Sequence, residues 1–184
     1  MKKLNLGCGN KILDGYINID VVDYGGNLIH DLNSFPYPFD DNTFDEILAS
    51  HILEHLQNFN KVITELYRIS KPNGIIKVYA PFFLNTKYFG DPDHKIPFSI
   101  RTFDNYEFIE NKKLKFYERW KLNHRTNYET SAKFEILDKR FNVSNFAPLK
   151  WLNPIVNIEP VIYERMFAGI LSPEEVIFIL RVVK

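Results

Sequence analysis

The chain has 184 residues, and its 23 Lys plus Arg balance its 23 Asp plus Glu. This zero net charge argues against a nucleic-acid partner bound through a basic face. No apolar run reaches the roughly 18 residues of a membrane span, and the stretch between Lys3 and Cys8 is too short for a signal peptide. The single cysteine excludes an internal disulfide and fits a reducing compartment, so we expect one domain, residues 1–184, in the cytoplasm.

The first quarter of the chain alternates short apolar runs with turns. These runs predict strands over residues 3–6, 16–22, 27–31 and 44–50. The connections between the first strands are too short for full helices. One face of the resulting sheet is therefore expected to lack helical cover.

A longer helical pattern follows the fourth strand. Apolar residues recur at three- and four-residue spacing from Ile52 to Leu66, and the pattern ends at the Lys71–Gly74 turn. A β-branched strand over 75–80 completes a strand–helix–strand unit, which is right-handed and parallel in nearly all proteins. Two further strands over 133–143 and 176–183, with a helix over 159–171, complete an α/β, doubly wound, Rossmann-like fold.

A glycine turn and two acidic residues stand at the ends of the first three strands. Gly7 and Gly9 follow the first strand, Asp20 closes the second and Asp31 the third. In a doubly wound sheet these ends meet at the ligand-binding edge. Carboxylates there can accept bonds from ribose hydroxyls and an adenine amino group; the alternative is a tight turn with two solvated acids. The third glycine of the dinucleotide motif is absent, since residue 12 is Ile, so a nucleoside without phosphates fits better.

Several segments resemble the class I S-adenosylmethionine-dependent methyltransferases, in particular their compact type-11-like members. They include Leu-Asn-Leu-Gly-Cys-Gly-Asn, Tyr-Ile-Asn-Ile-Asp, His-Asp-Leu, Ser-His-Ile-Leu-Glu-His and Arg-Ile-Ser-Lys-Pro-Asn-Gly, and the resemblance covers residues 3–81. It implies a mostly parallel seven-stranded sheet in the order 3-2-1-4-5-7-6, with the seventh strand antiparallel. The missing third glycine and the truncated first helix depart from the family pattern.

The resemblance also implies a cofactor and its site. S-adenosylmethionine would bind and leave as S-adenosylhomocysteine. The glycine turn would line its methionine moiety, Asp20 its ribose, Asp31 and Leu32 its adenine, and the residues after the fourth strand its sulfonium. The cofactor-binding residues are then Asn5, Gly7, Cys8, Gly9, Asp20, Asp31, Leu32, Ser50 and His51.

Methyl transfer to a hydroxyl also requires a group that removes the acceptor's proton. Asp91 and His94 follow the fifth strand, close to the expected acceptor, and His51 is a second candidate base. The alternative for Asp91 and His94 is a polar loop without a catalytic role. The sequence thus predicts a methyltransferase acting on oxygen of a small-molecule or sugar acceptor, compatible with a homodimer. The alternatives are a non-catalytic adenosyl-binding module and a zinc hydrolase.

The zinc alternative comes from His51-Ile-Leu-Glu-His55, which matches H-x-x-E-H. Two histidines four residues apart share a helix face and can hold Zn²⁺. The third ligand would come from Glu65, Asp91 or His94. The methyltransferase hypothesis, in contrast, requires no metal.

Residues 82–130 are rich in aromatic side chains, which fill a core or line a substrate pocket. Because so little chain precedes the first strand, we expect this segment to cover the acceptor as a lid. Phe82, Tyr88 and His94 would lie nearest the methyl group. The alternative is a second small core or a dimer surface.

Overall fold

A single seven-stranded sheet organises the chain. The computed structural model describes residues 1–108, 130–144 and 149–184. The strands lie in the order β3-β2-β1-β4-β5-β7-β6, with β1 to β5 parallel and β7 antiparallel to both β5 and β6. The predicted fold class and strand order are confirmed. The strands are β1 Lys3–Leu6, β2 Ile17–Asp20, β3 Leu28–Ile29, β4 Phe44–Ser50, β5 Ser70–Pro81, β6 Phe134–Asn142 and β7 Glu175–Val182.

The core lies along the central strands. Leu4 and Leu6 of β1, Ile47 and Ala49 of β4, and Val78 of β5 are buried without exposed surface. Strands covered on both faces require such apolar runs. Their burial fixes the register of β1 against β4, in which Leu4 pairs with Ile47 and Leu6 with Ala49.

The connections that link β1, β2, β3 and β4 contain turns and no helix. The expected trimming of the early helices is therefore confirmed. Val21, Val22, Leu28 and Ile29 keep exposed apolar surface beside β2 and β3.

Helix α1 runs over Phe59–Ile69 and packs a buried face onto the sheet. The prediction that it begins at Ile52 is wrong. The backbone carbonyl of Glu54 accepts hydrogen bonds from the N–H groups of Lys95 and Ile96, at 2.7 and 3.0 Å. This carbonyl is therefore bonded to the segment after β5 and not to a residue of a helix. The stretch forms a 3-10 turn at Leu53–His55, and the helix begins after Asn58, whose side chain caps the Lys61 N–H.

Three shorter helices complete the described chain. Helix α2 covers Thr86–Phe89, α3 Leu152–Val156 and α4 Pro160–Met166. The predicted helix over 159–171 is thus shorter, and α3 was not predicted. Within the described ranges, no helix is long and apolar enough to cross a membrane.

The aromatic residues after β5 divide between core and surface. Phe82, Phe98 and Phe103 have no exposed surface, and Phe82 makes an edge-on ring contact with Phe141 at 5.1 Å. For these three residues the core interpretation is correct. Residues 109–129, most of the rest of the predicted lid, lie outside the described part of the chain.

Candidate functional site

The carboxyl ends of β1, β2 and β4 meet at one edge of the sheet. The glycine turn follows β1, Asp20 is the last residue of β2, and Ser50 is the last residue of β4. Parallel strands bring these ends together regardless of the chain between them. The sequence therefore places its candidate binding residues on a common edge.

The turn after β1 needs glycine for two different reasons. Gly7 and Gly9 have φ angles of +62° and +51°, a left-handed conformation that side chains rarely adopt. A Cβ on Gly7 would lie 2.2 Å from Cγ1 of Ile52, whereas a Cβ on Gly9 would meet nothing within 4 Å. Gly7 is thus fixed by packing as well as conformation, and Gly9 faces open space.

Two buried asparagines hold the turn in place. The Asn5 side-chain amide donates to the Lys11 carbonyl and to Asn18 Oδ1, both at 2.9 Å. Asn18 Oδ1 also accepts from the Leu13 N–H at 3.0 Å. Both amide hydrogens of Asn5 are used by the protein itself, so Asn5 contributes to the site by positioning the turn.

Asp20 joins the turn to the second strand. Its Oδ2 accepts from the Gly9 N–H at 2.8 Å and its Oδ1 from the Val22 N–H at 3.1 Å. A carboxylate oxygen has more than one lone-pair site, so both oxygens can still accept from a ligand. Burial first, and then the negative charge of Asp20, raise the pKa of the Cys8 thiol, so Cys8 is a packing residue rather than a nucleophile.

Asp31 and Leu32 follow β3 on the outer side of the site. Asp31 is exposed, and its Oδ1 accepts from the Asn33 N–H at 2.9 Å in a local turn. Leu32 is buried, and its carbonyl accepts a 2.9 Å bond from the Tyr37 hydroxyl. The structure thus presents an exposed carboxylate, bonded locally through Oδ1, beside an anchored apolar residue.

His51 begins the other side of the site. Its φ of +54° turns the chain sharply after β4, and its N–H donates to the Tyr79 carbonyl at 2.9 Å. Its Nε2 lies 2.7 Å from Glu175 Oε1 and its Nδ1 3.5 Å from Glu54 Oε1. The hydrogen bond to Glu175, supported by Glu54, raises the pKa of His51 to about 9, so the imidazole is charged at neutral pH.

His94 lies in the loop after α2. Its Nδ1 is 2.8 Å from the Tyr88 carbonyl, its ring stacks on Tyr88, and its Nε2 is 3.6 Å from Asp91 Oδ2. The His55 ring lies 4.6 Å from the His94 ring. The structure therefore brings His94 to Asp91, as expected, and also to His55.

The predicted pairing of His51 with His55 as zinc ligands is wrong. The two residues do not share a helix, because the chain between them is a turn and α1 begins only at Phe59. Glu65, a suggested third ligand, is bound instead by the Tyr37 N–H and by Arg68. The potential ligand atoms that do lie together belong to Glu54, His55 and His94.

Three residues of the site were not singled out in the sequence. Glu54 is fully buried beside His51, Glu175 reaches His51 from β7, and Val21 exposes 60% of its surface next to Asp20. An apolar residue directly after the acidic end of β2 is a local signal that could have been used. The partnership of Glu175 with His51 has no sequence signal, because 124 positions separate them.

Comparison with known proteins finds a methyltransferase family model that matches part of the chain. Residues 24–78 match Methyltransf_11, a methyltransferase domain family. The sterol 24-C-methyltransferase of Pneumocystis carinii (strain B80) is 34% identical over 58 residues, which are 32% of this chain and 15% of that protein. The chain thus spans a small part of this curated relative's length.

Solved structures share the fold over nearly the whole chain. A SAM-dependent methyltransferase from Archaeoglobus fulgidus aligns with a TM-score of 0.54 and 16% identity, covering 98% of this chain and 85% of that one. The [4+2]-cyclase SpnF aligns with a TM-score of 0.56 and 18% identity, covering 99% and 75%. At such identities the likeness concerns the fold alone, and the second protein shows that the fold hosts more than one reaction.

The strand order and the family match confirm the resemblance to class I methyltransferases seen in the sequence. The match to Methyltransf_11 extends over residues 24–78. The cofactor that the class implies is S-adenosylmethionine.

Proposed function

We propose that the chain binds S-adenosylmethionine at residues 5–32 and transfers its methyl group to an oxygen of a small-molecule or sugar acceptor. The observation that carries this proposal is the placement of two groups at one sheet edge. The glycine turn with Asp20 forms one side, and His51 at the end of β4 forms the other.

The cofactor side offers partners for each part of a nucleoside. Asp20 has acceptor capacity for the ribose hydroxyls, and the open space at Gly9 lets a ligand approach the backbone. The exposed Val21 and the buried Leu32 provide apolar surface for adenine, with Asp31 available to its amino group. We assign Gly7 and Cys8 to the wall beside the methionine moiety, with Ser50 and His51 facing the sulfonium.

The charges at this edge favour a cation. Asp20, Asp31, Glu54 and Glu175 are acidic, and the charges of His51 and of Lys87 near Glu175 balance only part of them. The remaining negative potential suits a sulfonium, which carries the positive charge of S-adenosylmethionine.

The acceptor must lie in line with the methyl–sulfur bond, and a hydroxyl acceptor must lose its proton. His51 is a poor base at neutral pH, since it already carries a proton between two carboxylates. His94 is the better candidate, because its Nδ1 faces a carbonyl and its Nε2 keeps a lone pair. The Tyr88 carbonyl orients the ring, and Asp91 Oδ2 lies 3.6 Å from Nε2 at its open side. The positive charge of His51 then helps to position the acceptor.

A groove beside the histidines supports a polyhydroxylated acceptor. It has a volume of about 700 Å³, and it adjoins the site because Ile96 in its wall donates its N–H to the Glu54 carbonyl. Its polar lining carries mainly amides and hydroxyls, which pair well with sugar hydroxyls. These residues include Gln57, Asn58, Asn60, Ser99, Thr102 and Asn105.

We keep part of the prediction that the segment after β5 covers the acceptor as a lid. Tyr88 and His94 border the proposed acceptor position, and we propose that residues 82–108 form one wall of it. Phe82, which was expected to lie nearest the methyl group, has no exposed surface and belongs to the core.

The cofactor assignment is tested by calorimetry with S-adenosylhomocysteine. Asp20→Ala should weaken binding by about 1–3 kcal/mol, roughly 5- to 150-fold, because ribose hydroxyls lose a charged acceptor. The matched control is Asp14→Ala, a loss of an exposed carboxylate from the same connection. Equal affinity in the two variants would remove Asp20 from the site.

The reaction is tested with methyl-labelled S-adenosylmethionine and a panel of sugars and small hydroxylated compounds. We expect label in an ether product and a loss of about 10²–10⁴-fold in His94→Gln, the usual value of a general base. Cofactor binding without transfer to any acceptor would instead favour a non-catalytic adenosyl-binding module.

A further inference from the structure

We propose that Glu54, His55 and His94 form a binding site for one divalent transition-metal ion of the zinc class, beside the acceptor position. Each residue offers one ligand atom, and these atoms lie within 4.8 Å of one another. Tetrahedral zinc with bonds of about 2.0–2.1 Å holds its ligands roughly 3.4 Å apart. Small side-chain movements therefore suffice to close the set around an ion.

The buried carboxylate of Glu54 is the strongest sign of a missing ligand. Its side chain has no exposed surface, and neither carboxylate oxygen has a hydrogen-bond partner among the residues that the structure describes. His51 Nδ1 stays 3.5 Å away, a long contact, while its Nε2 is committed to Glu175. His51 thus supplies only a distant positive charge, and a buried carboxylate without a hydrogen bond is well compensated by a bound cation.

His94 is already oriented as metal-bound histidines are. The 2.8 Å approach of its Nδ1 to the Tyr88 carbonyl places the proton on Nδ1 and leaves the Nε2 lone pair for a ligand bond. Metal-ligating histidines usually donate their second ring N–H to a carbonyl or carboxylate in this way. Asp91 Oδ2, 3.6 Å from Nε2, provides a further oxygen at the open side.

The donor set selects the kind of ion. Two imidazole nitrogens and one carboxylate suit Zn²⁺, Co²⁺ or Fe²⁺, whereas Mg²⁺ and Ca²⁺ prefer sets made entirely of oxygen. Three protein ligands leave a coordination position open, which is typical of ions that bind a substrate oxygen.

The consequence for the reaction rests on the proposed function. An ion at this place would lower the pKa of a bound acceptor hydroxyl. His94 cannot accept a proton on Nε2 while that atom is a ligand, so in the loaded site the proton of the hydroxyl would pass to the Asp91 carboxylate at the open side, and His94 would act as base only in the metal-free protein.

Metal binding can be measured without cofactor or acceptor, and so independently of methyl transfer. The full chain is freed of metal with EDTA, exchanged into chelator-free buffer and titrated with Zn²⁺ against a chromophoric indicator. We expect one equivalent to bind, with affinity at least tenfold weaker in His55→Gln, His94→Gln and Glu54→Gln. His30→Gln, the same change at a histidine outside the cluster, should bind as the unaltered protein does.

Absence of stoichiometric zinc binding, or unchanged affinity in His55→Gln and His94→Gln, would overturn the proposal. If these variants fail to fold, titration of the unaltered chain with Co²⁺ still tests whether the metal site exists. Intense visible absorption of a four- or five-coordinate Co²⁺ and a rise in Tm on metal addition support the site. The weak spectrum of a hydrated ion with no change in Tm refutes it.

Discussion

The cofactor half of the site and the acceptor half are assembled in different ways. In the cofactor half, residues 5–32, the bonds that hold the glycine turn join residues 6, 11 and 13 positions apart. In the acceptor half, His51 bonds to Glu175, 124 positions away. The first half is local along the chain, and the second exists only when β4, β7 and the loop after β5 come together.

This difference explains why the two halves carry different kinds of groups. The cofactor half relies on backbone shape and short polar side chains, since a turn between neighbouring strands can position these by itself. The acceptor half gathers the half-exposed His51 with Glu54 and His94, whose buried side chains require partners from several elements. We expect mutations in the two halves to separate accordingly.

The largest expected effect is a loss of stability at the contact between Gly7 of the cofactor half and Ile52 of the acceptor half. Gly7→Ala would place a Cβ 2.2 Å from Ile52 in a left-handed conformation, and we expect a loss of about 4 kcal/mol in the free energy of unfolding. Gly9→Ala, with the same strain and no clash, should lose about 1–2 kcal/mol. Urea denaturation measures both.

Ile52→Ala sharpens this test. Combined with Gly7→Ala, it should give a loss smaller than the sum of the two single losses, because the second change removes the side chain that clashes. Strict additivity would show that the glycine turn does not pack against the acceptor half.

A second prediction concerns the anchor of the adenine side. Glu65 on α1 accepts from the Tyr37 N–H at 2.7 Å and from Arg68, and Tyr37 in turn holds the Leu32 carbonyl. Glu65→Gln should cost about 2 kcal/mol, because Arg68 loses the charge of its bidentate, more buried partner. Asp41→Asn, which changes the exposed partner of Arg68, should cost less than about 0.5 kcal/mol.

The pH dependence of this anchor has a definite sign. Burial alone would raise the pKa of Glu65, but bonds from Arg68 and the Tyr37 N–H hold it below its usual value. Its stabilising contribution is therefore present above the ordinary glutamate pKa of about 4.3 and is lost as the pH falls through the lower folded value. Acid unfolding of Glu65→Gln should lack this component, and an unchanged profile would contradict the assignment.

The last prediction is electrostatic and lies within the acceptor half. In EDTA-treated protein, NMR titration should give His51 a pKa of about 9. Glu175→Gln should lower it toward the ordinary value of about 6.5, because the main hydrogen-bonded carboxylate is gone. Glu174→Gln, the neighbouring change on a residue paired with Lys87, should leave it unaltered. Equal values in the two variants would mean that Glu175 does not set the charge of His51.

Local patterns determined much of the fold and the cofactor half. Apolar runs located six of the seven strands to within two residues, because burial on a sheet imposes its period on the sequence. Strand β5 begins at Ser70, five residues before its predicted start, and includes the Lys71–Gly74 segment that was predicted as a turn. The Gly7–Gly9 turn and the acids at positions 20 and 31 were visible because each lies directly at a strand end.

Only the tertiary structure decided the rest. Helix α1 begins seven residues later than its apolar spacing indicates, since the Glu54 carbonyl bonds to Lys95 and Ile96. The same rearrangement separates His51 from His55 and brings His55 to His94. A contact between two distant segments produces no periodic pattern in the sequence of either segment. The grouping of Glu54, His55 and His94 therefore follows from the packing of the chain and could not be read from its sequence.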